Sequence, residues 1–273
     1  MPPPMPAPQK ISLPGVKHVV AVASGKGGVG KSTVAANLAM ALHLQGQKVG
    51  LMDADIYGPS VPIMFGLGTV DQTKTPFPID QYGLKLMSMG FLVDPNQAVI
   101  WRGPKVAQAV GSFLAQVPWG ELDYLIIDLP PGTGDAQLTL SQSAPITGAI
   151  IVTTPQDVAL IDARKGVRMF EEVHVPVLGV VENMSYYQDS SGQKVSIFGQ
   201  GGGKKLAAEA KVSLLAELPI DPRITQCGDA GEPIVRKLPE APISKSYTDL
   251  AKTVMAELAK RPTVNPLPAV ELI

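Results

Sequence analysis

The chain has 273 residues, 45% of them hydrophobic, with a formal net charge of −1 and a single cysteine. That length suits one large α/β sheet with a sizeable core. The near-neutral charge and 5% aromatic content exclude an electrostatic track for nucleic acid or an anionic membrane, and a base-stacking surface. One cysteine excludes an internal disulfide framework, which fits a reducing, cytoplasmic setting. No apolar run approaches the ~20 residues that span a bilayer.

Residues 1–16 open on a proline-rich stretch without the basic and apolar regions of a signal peptide, and are read as a flexible arm. From residue 17 to 260, short apolar runs alternate with helical patterns. This is the signature of βαβ units and a mostly parallel sheet flanked by helices, an α/β fold. Strands are predicted at Val19–Ala23, Val49–Met52, Tyr124–Ile127, Ala149–Thr153, Val177–Glu182 and Leu214–Leu218, with a further candidate at Leu84–Met89. Helices are predicted at Lys31–Gln45, Lys105–Ala115, Ala136–Ser143, Val158–Val173, Gly203–Ala210 and Ile243–Ala259. Residues 261–273 contain three prolines and are read as an irregular tail.

Ligands of such sheets gather at the carboxyl ends of the strands. The first strand runs into Gly25-Lys26-Gly27-Gly28-Val29-Gly30-Lys31-Ser32, and Lys31 opens a helix. That strand–loop–helix context is the one a P-loop requires. Glycines let backbone N–H groups turn around phosphate oxygens, and the helix N-terminus adds partial positive charge. Lys31 is expected on the β- and γ-phosphates of ATP and the Ser32 hydroxyl on Mg2+, with Thr33 next in the helix. The second strand delivers Asp53 and Asp55, which suit orientation of water in the Mg2+ shell or for attack on the γ-phosphorus. Capping of the following turn is their alternative reading. The strand over 124–127 ends at Asp128, followed by Leu129-Pro130-Pro131-Gly132-Thr133-Gly134-Asp135, which reads as a Walker B element with Asp128 holding Mg2+ through water. Asn183, at another strand end, carries a donor and an acceptor suited to a purine edge. Pro219 and Asp221 follow the last strand as a wall for the base or as a simple loop.

Lys26, directly after the first glycine, resembles the deviant Walker A motif of the MinD-like ATPases. Asp53-Ala54-Asp55-Ile56-Tyr57-Gly58-Pro59-Ser60, Trp101-Arg102-Gly103-Pro104, Asp128 to Asp135, Val181-Glu182-Asn183-Met184-Ser185-Tyr186 and Gly228 to Pro233 resemble the Mrp/ApbC group of iron–sulfur cluster carriers. The resemblance covers nearly all of the chain between the two proline-rich ends. It implies a homodimer in which Lys26 reaches ATP bound by the partner. It further implies Asp55 as the water-orienting carboxylate, Asp53 as a second-layer Mg2+ group and Asn183 as the adenine contact. It implies apo iron–sulfur proteins or assembly factors as partners.

The chain departs from that pattern in two ways: a short proline-rich arm stands where many members carry an N-terminal domain, and the segment after the Asn-Met-Ser motif lacks two cysteines. Family members that bridge a [4Fe–4S] cluster use a CxxC after the Asn-Met-Ser motif, and here Asp189 and Gly192 stand in those positions. Clusters are held chiefly by thiolates. Cys227 lies outside this segment, and Ser190, Ser191 and Gly192 read as a β-turn of a persisting hairpin. The alternative function is a MinD-like dimerisation switch that recruits a soluble partner without a cluster. No membrane attachment is expected, because residues after Arg261 contain no Lys or Arg. A small-molecule kinase is disfavoured by the lack of an inserted lid.

Overall fold

The computed structural model describes residues 11–56, 58–68, 70, 77–91, 110–111 and 114–264. The six predicted strands and the further candidate are present, and the parity of each residue decides which face of the sheet it covers. In β1 (Val16–Ala23), Val20 and Val22 join one core, while Val19, Ala21 and Ala23 join the other. The period-two geometry of a strand turns an unbroken apolar run into two buried faces.

The remaining elements follow in chain order: α1 (Lys31–Leu44), β2 (Val49–Asp53), α2 (Val61–Met64), β3 (Ile79–Gln81), β4 (Leu84–Ser88) and β5 (Leu122–Asp128). Then come α3 (Asp135–Ser143), β6 (Gly148–Thr153), α4 (Asp157–Glu172), β7 (Val177–Glu182), β8 (Tyr187–Gln188), β9 (Lys194–Val195) and α5 (Gly202–Ala210). The chain continues through β10 (Ser213–Glu217), α6 (Pro222–Asp229), α7 (Ile234–Lys237) and α8 (Pro242–Ala259). Eight strands form one sheet in the order β10-β7-β6-β1-β5-β2-β4-β3, and β8 pairs with β9 alone. All neighbours in the large sheet are parallel except β3, which runs antiparallel to β4.

Helices α1 and α8 cover one face; α3, α4 and α5 cover the other. In α8, Ile243, Tyr247, Leu250, Ala251, Val254 and Leu258 are buried, a 3.6-residue stripe laid on the sheet. The chain leaves β1 toward β2 on one side and later fills β6, β7 and β10 on the other. The strand order therefore reverses beside the carboxyl end of β1, the position where such folds bind ligands.

Several boundaries differ from the sequence expectation for local reasons. β1 starts three residues earlier than predicted: Lys17 Nζ pairs with Asp123 Oδ1 at 2.7 Å, and His18 stacks on Tyr124 with ring centroids 5.6 Å apart. These polar residues hide the strand in the sequence while belonging to it. β3 reaches β4 through Tyr82 and Gly83, at φ 52° and 83°, a two-residue hairpin turn with no Asn-Gly signal. Helices α2 and α7, at four residues each, are too short to show a helical period. The predicted helix over Lys105–Ala115 lies largely outside the described residues, as do Trp101–Pro104 and Tyr57. Residues at both ends of the described chain pack on the domain: the Ile11 N–H donates to Ser143 O at 2.8 Å, and the Val264 N–H to Lys17 O at 2.8 Å.

Candidate nucleotide-binding site

Three loops leave the carboxyl ends of β1, β2 and β5 and are tied together by backbone. The Leu129 N–H donates to Val22 O at 3.0 Å, the Ala54 N–H to Asp128 O at 2.9 Å, and the Gly132 N–H to Ser24 O at 3.0 Å. Residues 24–33 form the first loop and the start of α1, enclosing with Asp55 and Pro131 a cavity of about 210 Å³. Gly30 caps α1 at φ 81° and ψ 23°, without a side-chain cap, which leaves the first helical N–H groups facing the loop. Gly25 has a different reason to be glycine: a Cβ there would lie 2.1 Å from the backbone carbon of Asp162 in α4. The loop passes directly under that helix.

Inside the cradle Lys31 is almost fully buried, and its Nζ sits 2.5 Å from Asp128 Oδ1 and 3.2 Å from Ser32 Oγ. Asp128 is wholly buried, and among the described residues its second oxygen, Oδ2, has no partner. Burial pushes the Asp128 carboxyl above its ordinary range, and the Lys31 ammonium pulls it back. Lys26 is half-buried on the cavity wall, and its carbonyl accepts from Ser24 Oγ at 2.8 Å.

The two aspartates of the second loop have different surroundings. Asp53 is fully buried; Oδ1 accepts the Asp55 N–H at 3.1 Å, while Oδ2 accepts the N–H groups of Ser60 and Val61 at 3.0 and 3.1 Å and the Ser88 hydroxyl at 3.3 Å. Burial and the nearby Asp128 charge push the Asp53 carboxyl up to about 7, opposed by its backbone N–H donors. Asp53 thus holds the loop and the start of α2 with both oxygens. Asp55 stands on the cavity rim, where Oδ1 accepts the Gly58 N–H at 3.2 Å.

Asn183, the first residue after β7, reaches the same loop: its Nδ2 donates to Val29 O at 2.9 Å. A Cβ on Gly30 would lie 2.3 Å from that nitrogen. Pro219 and Asp221 lie at the end of β10, three strands away from β1. The Asp221 carboxylate is engaged locally, accepting the Arg223 N–H at 2.9 Å and pairing with Arg223 Nη2 at 2.6 Å, which holds its carboxyl below the usual range. The structure therefore gathers residues 25–33, Asp53, Asp55, Asp128 and Asn183 around one cradle and leaves Asp221 at the cap of α6.

Sequence reasoning passed over Glu182. Its fully buried carboxylate accepts from Ser185 Oγ at 2.5 Å and from the Gly203 N–H, so it pins both ends of the segment that carries Asn183 and the β8–β9 hairpin. The available signal was an acid closing an apolar strand, the same one that marks Asp53 and Asp128.

The hairpin itself is closed by polar chemistry. Asp189 Oδ1 accepts the Ser191 and Gln193 N–H groups at 2.8 and 2.9 Å and the Ser191 hydroxyl at 2.6 Å, and Gly192 takes φ 86°. Cys227 is buried and belongs to the core cluster that also holds residues of α1 and α8. Among the described residues no group of three or more His, Cys, Asp and Glu is arranged to hold a metal ion. One thiol per chain, buried in the core, does not fit an iron–sulfur cluster held within the chain.

The parallel sheet with a glycine-rich cradle on its switch-point strand defines a P-loop NTPase of the MinD and ParA type. Residues 15–255 match the ParA family, described as the NUBPL iron-transfer P-loop NTPase, and the chain belongs to that family. It is 52% identical over 248 residues to an iron–sulfur cluster carrier protein of Aquifex aeolicus, covering 89% of this chain and 68% of that protein. An iron–sulfur cluster transfer protein NUBPL of Dictyostelium discoideum is 46% identical over 255 residues, covering 91% and 79%. Among solved structures, a nucleotide-binding protein in complex with ADP from Archaeoglobus fulgidus has a TM-score of 0.69 at 42% identity, covering 80% of this chain and 87% of that one. The MinD cell division protein of Aquifex aeolicus shares the fold, with a TM-score of 0.62 at 24% identity over 88% of this chain and 97% of that one.

Proposed function

We propose that the chain is a Mg2+-dependent ATPase that works as a cytoplasmic homodimer in iron–sulfur cluster assembly or transfer. The observation that carries the ATPase reading is the buried Lys31–Asp128 pair inside the cradle, with Asp55 on its rim. Lys31 meets the charge of Asp128 at the place where a triphosphate would bring its own, so binding exchanges one anionic partner for another. The donor set suits Mg2+: the Ser32 hydroxyl and the Asp128 carboxylate are hard oxygens gathered on the same Lys31 ammonium. Ser32 and Asp128 would hold the ion, which would supply charge neutralisation for the transferring group. Asp55 orients water from the cavity rim, and Lys31 holds the phosphates. Lys26 contributes its ammonium to the cradle of the second copy, which makes hydrolysis slow and tied to dimer closure.

The cluster is cargo in this reading, and its support is the carrier and transfer names of relatives at about half identity. Because the hairpin has Asp189 and Gly192 in place of two thiols, the clients of the ATP-driven dimer are apo iron–sulfur proteins or assembly factors that hold the cluster themselves. Exposed Tyr187, Val195 and Ile197 on and beside the hairpin favour a second reading, a switch that recruits a protein partner without handling the cluster.

Phosphate release and nucleotide affinity, measured across protein concentration, test the proposal. Lys31→Ala is expected to lose ATP binding. Lys26→Ala is expected to keep it while turnover falls ~10³-fold, the scale of a lost transition-state cation. Unchanged turnover in Lys26→Ala would falsify the exchange of lysines between subunits.

A further inference from the structure

A second cavity, of about 500 Å³, adjoins the phosphate cradle and shares Asp55 and Pro131 with it. It lies between the loop after β2 and the turn from β5 into α3. Gly58 lines one side, and Pro130, Asp135 and Gln137 line the other. Gln137, in the first turn of α3, is 1% exposed, and among the described residues neither its Nε2 nor its Oε1 has a hydrogen-bond partner.

Leaving a buried donor or acceptor unmade destabilises the fold. An apolar side chain of similar volume would pack this wall with no such cost, so stability gives no reason for an amide here. Native buried polar groups without partners point to a ligand, an ordered water or a functional state that supplies one. A primary amide offers donors and an acceptor on one rigid plane, the arrangement that orients water without taking its proton. A buried water needs two to four polar partners and about 30 Å³. The cavity has the volume, and Gln137 and Asp55 both line it.

We propose that Gln137 is a positioning residue for ATP hydrolysis: its amide fixes the water lying between itself and Asp55, and so aligns Asp55 and the attacking water with the γ-phosphorus. This rests on the ATPase reading given above. In the reaction the water oxygen bonds to the γ-phosphorus, and the bond from that phosphorus to the bridging oxygen breaks, its electron pair leaving with ADP. The proton released by the water ends on the phosphate product. Gln137 neither gains nor loses a proton; it restricts where the water stands. A glutamine performs the comparable task of orienting water in GTPases.

The test uses the full chain with Mg-ATP, comparing wild type, Gln137→Leu and Gln137→Glu. Nucleotide affinity, urea stability and the single-turnover hydrolysis rate are measured for each. Gln137→Leu is expected to bind ATP within twofold of wild type and to be at least as stable, because it removes an unpartnered amide. Its single-turnover rate is expected to fall about 10²-fold, the scale of misplaced reacting groups. Gln137→Glu restores polar atoms, and is expected to recover part of the rate and to add a pH dependence absent from wild type. Wild-type hydrolysis in Gln137→Leu overturns the assignment. So does a rate loss matched by loss of stability, and so does a Gln137→Glu protein no faster than Gln137→Leu. If Gln137→Leu does not fold, the decision passes to Gln137→Glu: a folded protein with a wild-type rate and pH profile refutes it. Failure of wild type itself to release phosphate would instead remove the ATPase reading.

Discussion

Asn183→Ala separates two jobs that one residue can do. By resemblance Asn183 is an adenine contact, whereas in the structure its Nδ2 donates to Val29 O at 2.9 Å and braces the phosphate loop. Truncation to alanine leaves the carbonyl of buried Val29 without this donor, a cost of about 1–3 kcal/mol. That cost divides between folding stability and the work of returning the loop to its binding shape. If all of it falls on binding, affinity drops by about 5-fold to 10²-fold, since 1.4 kcal/mol is a factor of ten. Because the brace acts on the loop and not on the base, ATP and GTP should weaken by the same factor. Calorimetric titration of both nucleotides, with urea unfolding of the free protein, measures every part of the prediction. A loss confined to ATP, with unchanged stability, would show that the amide serves the base and that the bond to Val29 contributes nothing.

Two further predictions follow from buried polar groups away from the phosphates. Glu182→Gln keeps the shape of the side chain but sets an NH2 against one of two donors, Ser185 Oγ or the Gly203 N–H. A loss of about 1.5–3 kcal/mol is expected for a charge-assisted bond of this kind, seen by calorimetry as a melting temperature about 5 °C lower or more; an unchanged temperature refutes the pin. His18 is pushed below its ordinary 6.5 by burial and by the neighbouring Lys17 charge, and its buried Nδ1 has no partner. A folded-state value below the unfolded one means that the stability it contributes is present at neutral pH and is lost as pH falls below about 6.5. His18→Phe keeps the stack on Tyr124 and removes that titration, so its urea midpoint should fall less than the wild-type midpoint between pH 7.5 and 5.5. Parallel decreases would show that His18 is not involved.

The fold was largely legible because its strands are apolar on both faces. β7 was predicted to the residue, and β2, β5 and β6 lie within a residue or two of their predicted bounds. The misses have local causes. Lys17 and His18 disguise the first turn of β1, since a strand that borders other elements at its amino end can carry polar residues and still pair, as Val16 does with Leu122. The turn at Tyr82–Gly83 places a tyrosine at positive φ, held by its hydroxyl bond to Gly231 O at 3.1 Å and by Arg236 stacked over its ring. Those contacts lie some 150 residues downstream, out of reach of any local pattern.

The site was legible down to residue type, but not to the division of labour among its carboxylates. Asp53, Asp128 and Glu182 each close an apolar strand, and their sequence signal is the same. Their surroundings separate them. Asp53 meets backbone N–H groups and a hydroxyl and becomes a loop clamp. Asp128 meets Lys31 and, among the described residues, keeps an oxygen unpartnered. Glu182 meets Ser185 and Gly203 and anchors a hairpin. What decides the outcome is the strand order: β5 lies beside β1, so its terminal acid faces Lys31, whereas β7 is two strands away on the other side. A neighbour relation in the sheet is set by topology, which no spacing along the chain records. The same argument explains why Asn183 is able to brace the phosphate loop from across β6. It is the residue that follows Glu182, and the Glu182 pin holds its backbone at the height of Val29. Asn183 and Glu182 therefore form one mechanical unit. Loosening the pin should weaken nucleotide binding through Asn183, although the Glu182 carboxylate itself bonds to Ser185 and Gly203.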